Sequence, residues 1–304
     1  MPWPASLFVR ATAAPSVPAG LPLVIALTGF TDAGSAVSGL VDYVRDDLDP
    51  TPLAVFSNDV LLDYRARRPT VAFEQDHLTD YRPQRLELSL AHDAEGSPFL
   101  VLAGYEPDFV WDAFSEAVLA LADSFAVSSV TWVHAIPMPV PHTRPIGTTV
   151  SGTRSELTAA HSVWQPHTQV PATVGHLLEY RFAEVGARIA GFVLLVPHYL
   201  ADTEYPAATL AGLDALTAAT GLVFAGEELR EENREYLEKV TEQVSGNDEL
   251  SRMLQGLEER YDSYMAGSTL ATPIIHTGDL PSADELAAEL ERFLANRPSG
   301  DDDR

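Results

Sequence analysis

The chain has 304 residues, 46% hydrophobic and 21% charged, values of a globular protein that exclude a collagen-like, fibrous or disordered chain. It has no cysteine, which removes disulfides, thiol nucleophiles, iron–sulfur clusters and cysteine-rich zinc sites together. Nineteen basic residues face 44 acidic ones, a net charge of -25, so nothing offsets repulsion from a nucleic-acid backbone.

Residues 21–28 (LPLVIALT) form an apolar run without alternation, which suits a strand covered on both faces. It ends in Gly29-Phe30-Thr31-Asp32-Ala33-Gly34-Ser35. Ala36, Val37, Leu40, Val41, Val44 and Leu48 then predict a helix, stopped by Asp49-Pro50. Residues 52–56 read as a second strand, and residues 58–64 and 70–76 as a loop with short extended pieces. Leu86, Leu88 and Leu90 alternate, His92 to Gly96 turn, and residues 98–103 are again apolar, so this pair reads as a hairpin. Asp108 is placed to cap a helix reaching Phe125 that buries Phe109, Val110, Ala113, Phe114, Ala117, Val118 and Leu121.

Residues 128–135 return as a strand. Residues 137–170 show little periodicity and read as a long loop. A helix over 172–186, a strand over 190–196 and a helix over 205–220, ended by Gly221, follow. Strands alternating with helices predict an α/β fold, a central mostly parallel sheet flanked by helices.

From Glu227 the texture changes. Residues 227–265 hold 12 carboxylates against five basic groups. Leu229, Tyr236, Leu237, Val240 and Val244 form one apolar stripe; Leu250, Met253, Leu254, Leu257, Tyr261 and Tyr264 form another. Ser245-Gly246-Asn247-Asp248 supplies a stop and a cap, so the segment reads as an αα-hairpin. Residues 281–295 predict a last helix, and 297–304, with three consecutive aspartates, a disordered tail. The expected organisation is a core domain over 1–226, an acidic helical extension over 227–296 and the tail.

Three segments are placed to carry chemistry, each following a strand at its carboxyl end, where α/β ligands gather. In the first, Gly29 and Gly34 admit a tight turn. Thr31, Asp32 and Ser35 either face a ligand or, for Asp32, cap the following helix. In the second, Pro137, Pro139, Pro141 and Pro145 stiffen the backbone around His142 and Arg144. Arg144 can grip a carboxylate or phosphate through two parallel bonds, or pair with a structural carboxylate. In the third, His198 and Tyr199 follow the strand over 190–196, with Asp202 near enough to make a His–Asp pair. In the αα-hairpin, Leu237, Val240, Leu254, Leu257 and Tyr261 either meet a partner or pack on the chain's own domain.

Several classes are excluded or disfavoured. Six of nine histidines lie between His134 and His198, but none has metal-ligand spacing, so no metal is expected. Neither G-x-G-x-x-G nor G-x-S-x-G occurs. Lys239 is the only lysine, so no cofactor and no ATP binding is expected. The most apolar early stretch, residues 21–27, is far short of the roughly 20 residues that span a bilayer. A cytoplasmic protein bound to neither membrane nor nucleic acid is expected.

Four pieces carry a resemblance: Gly29 to Gly34; Ile136-Pro137-Met138-Pro139-Val140-Pro141-His142-Thr143-Arg144-Pro145; Val170-Pro171-Ala172 leading to His176-Leu177-Leu178-Glu179; and Val196-Pro197-His198-Tyr199-Leu200-Ala201 with Tyr205-Pro206. The sequence resembles the proteasome assembly chaperone 2 family, in its long form with a C-terminal acidic helical extension, over about residues 22–222. The resemblance implies a phosphorylase/hydrolase-type α/β sandwich and relatives that act as binding proteins without chemistry. It supplies no catalytic residues. Two readings follow: a non-enzymatic assembly or scaffold protein, forming a dimer or trimer or binding a proteasome-related complex, or a small-molecule binder or hydrolase/phosphorylase-like enzyme using the three loops.

Overall fold

A computed structural model describes residues 7–12, 15–165 and 167–267; the helix expected over 281–295 and the tail over 297–304 lie outside the described residues. The chain order is β1 (Phe8–Arg10), β2 (Pro22–Thr28), α1 (Ala36–Asp46), β3 (Thr51–Phe56), α2 (Asn58–Leu61), β4 (Thr70–Glu74), β5 (His77–Arg82), β6 (Leu86–His92), β7 (Pro98–Tyr105), α3 (Trp111–Ser124) and β8 (Ser129–Met138). Then come β9 (Gly147–Gly152), α4 (Ser155–His161), α5 (Val174–Glu184), β10 (Ile189–Pro197), α6 (Pro206–Thr220), α7 (Glu227–Ser245) and α8 (Asp248–Gly267).

Eight strands form one sheet in the order β1-β3-β6-β7-β2-β8-β10-β9. The four apolar runs are its centre: β7, β2, β8 and β10 lie parallel. They are apolar throughout because helices cover both faces. On one face α3 and α5 bury Phe114, Val118, Leu121, Leu178 and Phe182 against Leu23, Ile25, Leu100 and Trp132. On the other, α1 and α6 bury Val37, Leu40, Leu213 and Leu216 against Val24, Val101, Val133 and Leu194. The flanks are antiparallel: β6 forms the expected hairpin with β7, and β9 pairs with β10.

Three expectations are corrected. Residues 137–170 are not one long loop, because Gly147–Gly152 closes the sheet edge and Ser155–His161 packs beside it. Asp108 does not cap α3: its carboxylate accepts the Asp63 amide at 2.6 Å and an Arg67 N–H at 2.5 Å, while Phe109 and Val110 are exposed ahead of the helix. Residues 70–76, expected as a loop with short extended pieces, hold a regular strand, Thr70–Glu74, which pairs with His77–Arg82 as a two-stranded hairpin, β4–β5, separate from the main sheet.

The αα-hairpin forms as expected, with the Asn247 side chain accepting the amides of Glu249 and Leu250 at the start of α8. Leu237, Val240 and Val244 of α7 pack into the α1/α6 cluster. Among the described residues, no helix is long and apolar enough to cross a membrane.

Candidate functional site

The first loop leaves β2 with its polar groups engaged by the fold. The Asp32 carboxylate accepts the amides of Val37 at 2.7 Å and Ser38 at 2.8 Å, and the Ser38 hydroxyl at 2.6 Å. Those amides are first-turn donors of α1 without helical partners, so Asp32 completes the helix start. Gly34 (φ 68) and Ser35 (φ 52) are left-handed, and an added Cβ on Gly34 would meet Ala208 at 3.0 Å. Thr31 is half-buried and Gly29 exposed.

Gly29 has a second reason to be glycine. A Cβ there would lie 2.2 Å from Oε2 of Glu106, a buried carboxylate just beyond β7. Glu106 accepts the Val174 amide at 2.5 Å, at the N-terminus of α5, and the Phe30 amide at 3.3 Å. An internal carboxylate thus occupies the anion-favouring end of a helix. Beside it lies a cavity of about 10 Å³, about one water in size, lined by Gly29, Phe30, Glu106, Trp132, His134 and Thr173 among others.

Around this cavity stands a network that sequence reasoning missed. His134 and His176 rings lie 6.1 Å apart, and each contacts Trp132. The Trp132 indole donates to Glu179 at 2.7 Å, and Ser151 donates to the same oxygen at 2.8 Å. Burial lowers the His134 pKa from 6.5 to about 4, with His176 adding to the effect and Asp32 opposing it. Burial also lowers His176 and raises Glu179. His176 Nδ1 accepts the Thr173 amide at 3.1 Å in a capping box, so its ring proton sits on Nε2. The readable signal was His176-Leu177-Leu178-Glu179 itself: the i,i+3 step puts both polar groups on the helix face that carries Gly175 against Trp132.

The second and third loops meet. The His142 amide donates to the Tyr199 hydroxyl at 2.8 Å, and that hydroxyl lies 2.8 Å from His142 Nδ1. Which atom of that second contact donates depends on the His142 tautomer. Burial depresses the His142 pKa, opposed by Glu258, and raises Tyr199 to about 12. His198 is exposed on a single 3₁₀ turn, its ring edge-on to Tyr199. Arg144 holds Asp262 of α8 by two bonds of 2.9 and 2.7 Å, with Glu258 at 3.4 Å. Thr143 also donates to Glu258. Arg144 does grip a carboxylate, and the carboxylate belongs to its own chain.

The third loop also joins the first: the Gly34 amide donates to Ala201 and the Tyr205 amide to Gly34. The three loops are therefore neighbours, but they line different spaces. Gly29 borders the small cavity. His142 and Arg144 border a cleft of about 510 Å³ under the αα-hairpin, with Tyr205, Phe192, Asp214 and Leu237 among its walls. Of the residues expected to meet a partner, Val240 (8% exposed) and Leu257 (1%) are buried by the chain itself, which corrects their reading; Leu237, Leu254 and Tyr261 are half-buried.

Comparison places the chain. It matches the PAC2 family over residues 26–244 and belongs to that family. It is similar to a Mycobacterium tuberculosis protein of unknown function at 38% identity, covering 86% of this chain and 90% of that one, with a TM-score of 0.79. A Corynebacterium glutamicum protein of unknown function is 33% identical over 85% of this chain and 98% of its own, with a TM-score of 0.82. A Mycobacterium tuberculosis proteasome-assembly chaperone homologue shares the fold at 20% identity, over 77% of this chain and 100% of its own, with a TM-score of 0.69. No curated protein matches.

Proposed function

We propose that this protein is a non-enzymatic, cytoplasmic assembly or scaffold protein that works by binding protein. The core up to residue 226 carries the binding surface, and the acidic extension from Glu227 braces it. The observation that supports this reading is an exposed apolar face on the β4–β5 hairpin: Phe73 is 72% exposed, Leu78 63% and Tyr81 62%. Rigidly held aromatic groups open to water are characteristic of protein contact sites. Family membership and the fold shared with a proteasome-assembly chaperone homologue favour a proteasome-related complex as partner, alongside self-association as a dimer or trimer. The test is native mass spectrometry of the purified chain with a purified proteasome core particle and its half-particles. A defined complex, or faster joining of half-particles, supports the reading. Neither complex nor effect overturns the proteasome assignment.

A second reading, small-molecule binding, is favoured by the cleft of about 510 Å³ beneath the αα-hairpin. Its size suits a metabolite-sized ligand. His142 and Arg144, which line it, would be the residues concerned, whereas Gly29, Thr31, Asp32, Ser35, His198 and Tyr199 are not among its walls. A thermal-shift screen against polar metabolites, repeated on Arg144→Ala, tests it: a hit lost in the variant supports a site there, and no stabilisation by any compound removes the reading.

A further inference from the structure

The small cavity beside Glu106 lies where the sheet changes direction. β2 and β7 are parallel neighbours, and Gly29 and Glu106 directly follow their carboxyl ends. The chain leaves β2 for α1 on one face of the sheet and leaves β7 for α3 on the other. The crevice outside two such strands is where α/β sheets bind ligands. Gly29 and Phe30, both exposed, open this cavity to water, and the buried Glu106, His134 and Thr173 give it a polar floor.

The floor is short of partners. The Glu106 carboxylate accepts the Val174 amide at 2.5 Å and the Phe30 amide at a long 3.3 Å, and among the described residues no cation pairs with it. Arg67 donates to the Glu106 backbone carbonyl, not to the carboxylate. His134 is only 8% exposed, yet neither of its ring nitrogens has a hydrogen-bond partner among the described residues. Buried polar groups are seldom left so, and an unfilled site is one reason that they are. Burial keeps His134 neutral, so one ring nitrogen offers a lone pair. The Thr173 hydroxyl, 2.9 Å from His176 Nδ1, also keeps a lone pair to spare.

Size and charge select the occupant. The cavity holds about 10 Å³, about one water, and an ammonium group is of water's size. Its polar wall is mostly acceptors around one carboxylate, which suits a cation rich in N–H donors. A guanidinium is planar and too large. A divalent metal needs more ligands than Glu106 and His134 supply, and no group of three metal-binding side chains occurs among the described residues. Phe30 and Trp132 also line the cavity, and aromatic rings attract a cation to their faces. The net charge of -25 further raises the local concentration of small cations. We propose that this cavity binds the ammonium head of a small primary amine, with Glu106 as its counter-charge and His134 and Thr173 as further acceptors. The site is separate from both the β4–β5 face and the cleft under the αα-hairpin, so it stands or falls independently of the two readings above.

The test is NMR of the full chain, following the Trp132 indole N–H and the His134 and His176 imidazoles. Ammonium chloride or methylammonium chloride is added to tens of millimolar at constant ionic strength. The expected result is a saturable shift of these signals with both amines. Potassium, which makes no directed hydrogen bonds, and tetramethylammonium, which has no N–H and is too large, should not produce it. Glu106→Gln keeps the shape of the side chain and removes its charge, and should weaken binding about tenfold or more. His134→Phe removes the imidazole lone pair and should weaken it severalfold; it keeps the proposal testable if circular dichroism shows Glu106→Gln unfolded. No saturable shift with either amine, an equal shift with potassium, or affinity unchanged in the folded variants overturns the proposal. Shifts confined to residues of the 510 Å³ cleft would also overturn it, and would support the small-molecule reading there instead.

Discussion

The molecule carries two hairpins of opposite fate. The αα-hairpin of α7 and α8 is acidic outside and apolar inside, and the chain covers its own stripe: Val240 and Leu257 are buried, and the Tyr264 hydroxyl donates to the Val163 carbonyl. The β4–β5 hairpin is shorter and its base is basic, yet Phe73 and Leu78 stand in water. Amphipathic periodicity shows that a face wants cover and is silent on what covers it. For α7 and α8 the covering surface is α6 and the His142–Arg144 loop, brought there by topology. For β4–β5 the topology brings no cover among the described residues.

The sharpest way to break this contrast is to cut the same kind of group from each hairpin. Leu257→Ala should destabilise the chain by about 2–3 kcal/mol, since a fully buried leucine leaves a cavity. Phe73→Ala should change stability by less than about 0.5 kcal/mol, since an exposed ring has little packing to lose. Urea unfolding midpoints of the two variants decide it; equal losses would mean that the β-hairpin is covered within the chain.

Acid separates the regions next. His134 is held neutral by burial, its pKa lowered from 6.5 to about 4. The unfolded chain takes up that proton first as pH falls. The stabilisation is therefore complete above about 6.5 and lost as pH drops through about 4, amounting at most to about 3 kcal/mol. His142, depressed by burial beneath α8, acts in the same direction. Hydrogen exchange should thus rise in β8, α5 and α8 on mild acidification, with β4–β5 little affected. The His134→Phe variant should flatten the pH dependence of the unfolding midpoint; an unchanged profile would mean that His134 is not its source.

Much of this was legible in the residues. The four central strands announce themselves as unbroken apolar runs, and Gly221 and Asn247 mark helix ends in the positions that left-handed and capping geometry require. The covered stripe of the αα-hairpin was visible, but not its cover, because Arg144 and Asp262 are far apart in the chain and meet only through the fold. The β4–β5 hairpin was obscured for a local reason. Its turn, Gln75-Asp76, lacks the usual glycine, and Gln75 takes φ 55 regardless; the bulge at Asp80 then breaks the alternation after Leu78. The Glu106–His134–His176–Glu179 network was hidden because Glu106 lies just beyond β7, His134 within β8 and His176 and Glu179 on α5, and only the parallel register of the central strands and the packing of α5 bring them together.

The smallest effect expected is at Arg144, and it sharpens the comparison where the two hairpins are least alike. The β-hairpin is pinned at its base by Arg67, and the αα-hairpin is latched near its far end by Arg144. Arg144 is about a third exposed and Asp262 about half, so water and salt screen the pair and its loss should barely move the global unfolding midpoint. Local opening is another matter. Without Arg144, Glu258 and Asp262 become adjacent carboxylates on a helix with no cation against them from the core, and their repulsion favours lifting that end of α8. Arg144→Ala should therefore raise the rate of limited proteolysis within α8 severalfold, with the global midpoint unchanged, and high salt should produce part of the same change in the wild type. Arg144→Lys should restore protection only in part, because an ammonium cannot reproduce the two parallel bonds to Asp262. Cleavage equal in wild type and Arg144→Ala would show that burial of Leu257 alone holds α8 down, and the αα-hairpin would then differ from the β-hairpin by its covered leucines and not by its latch.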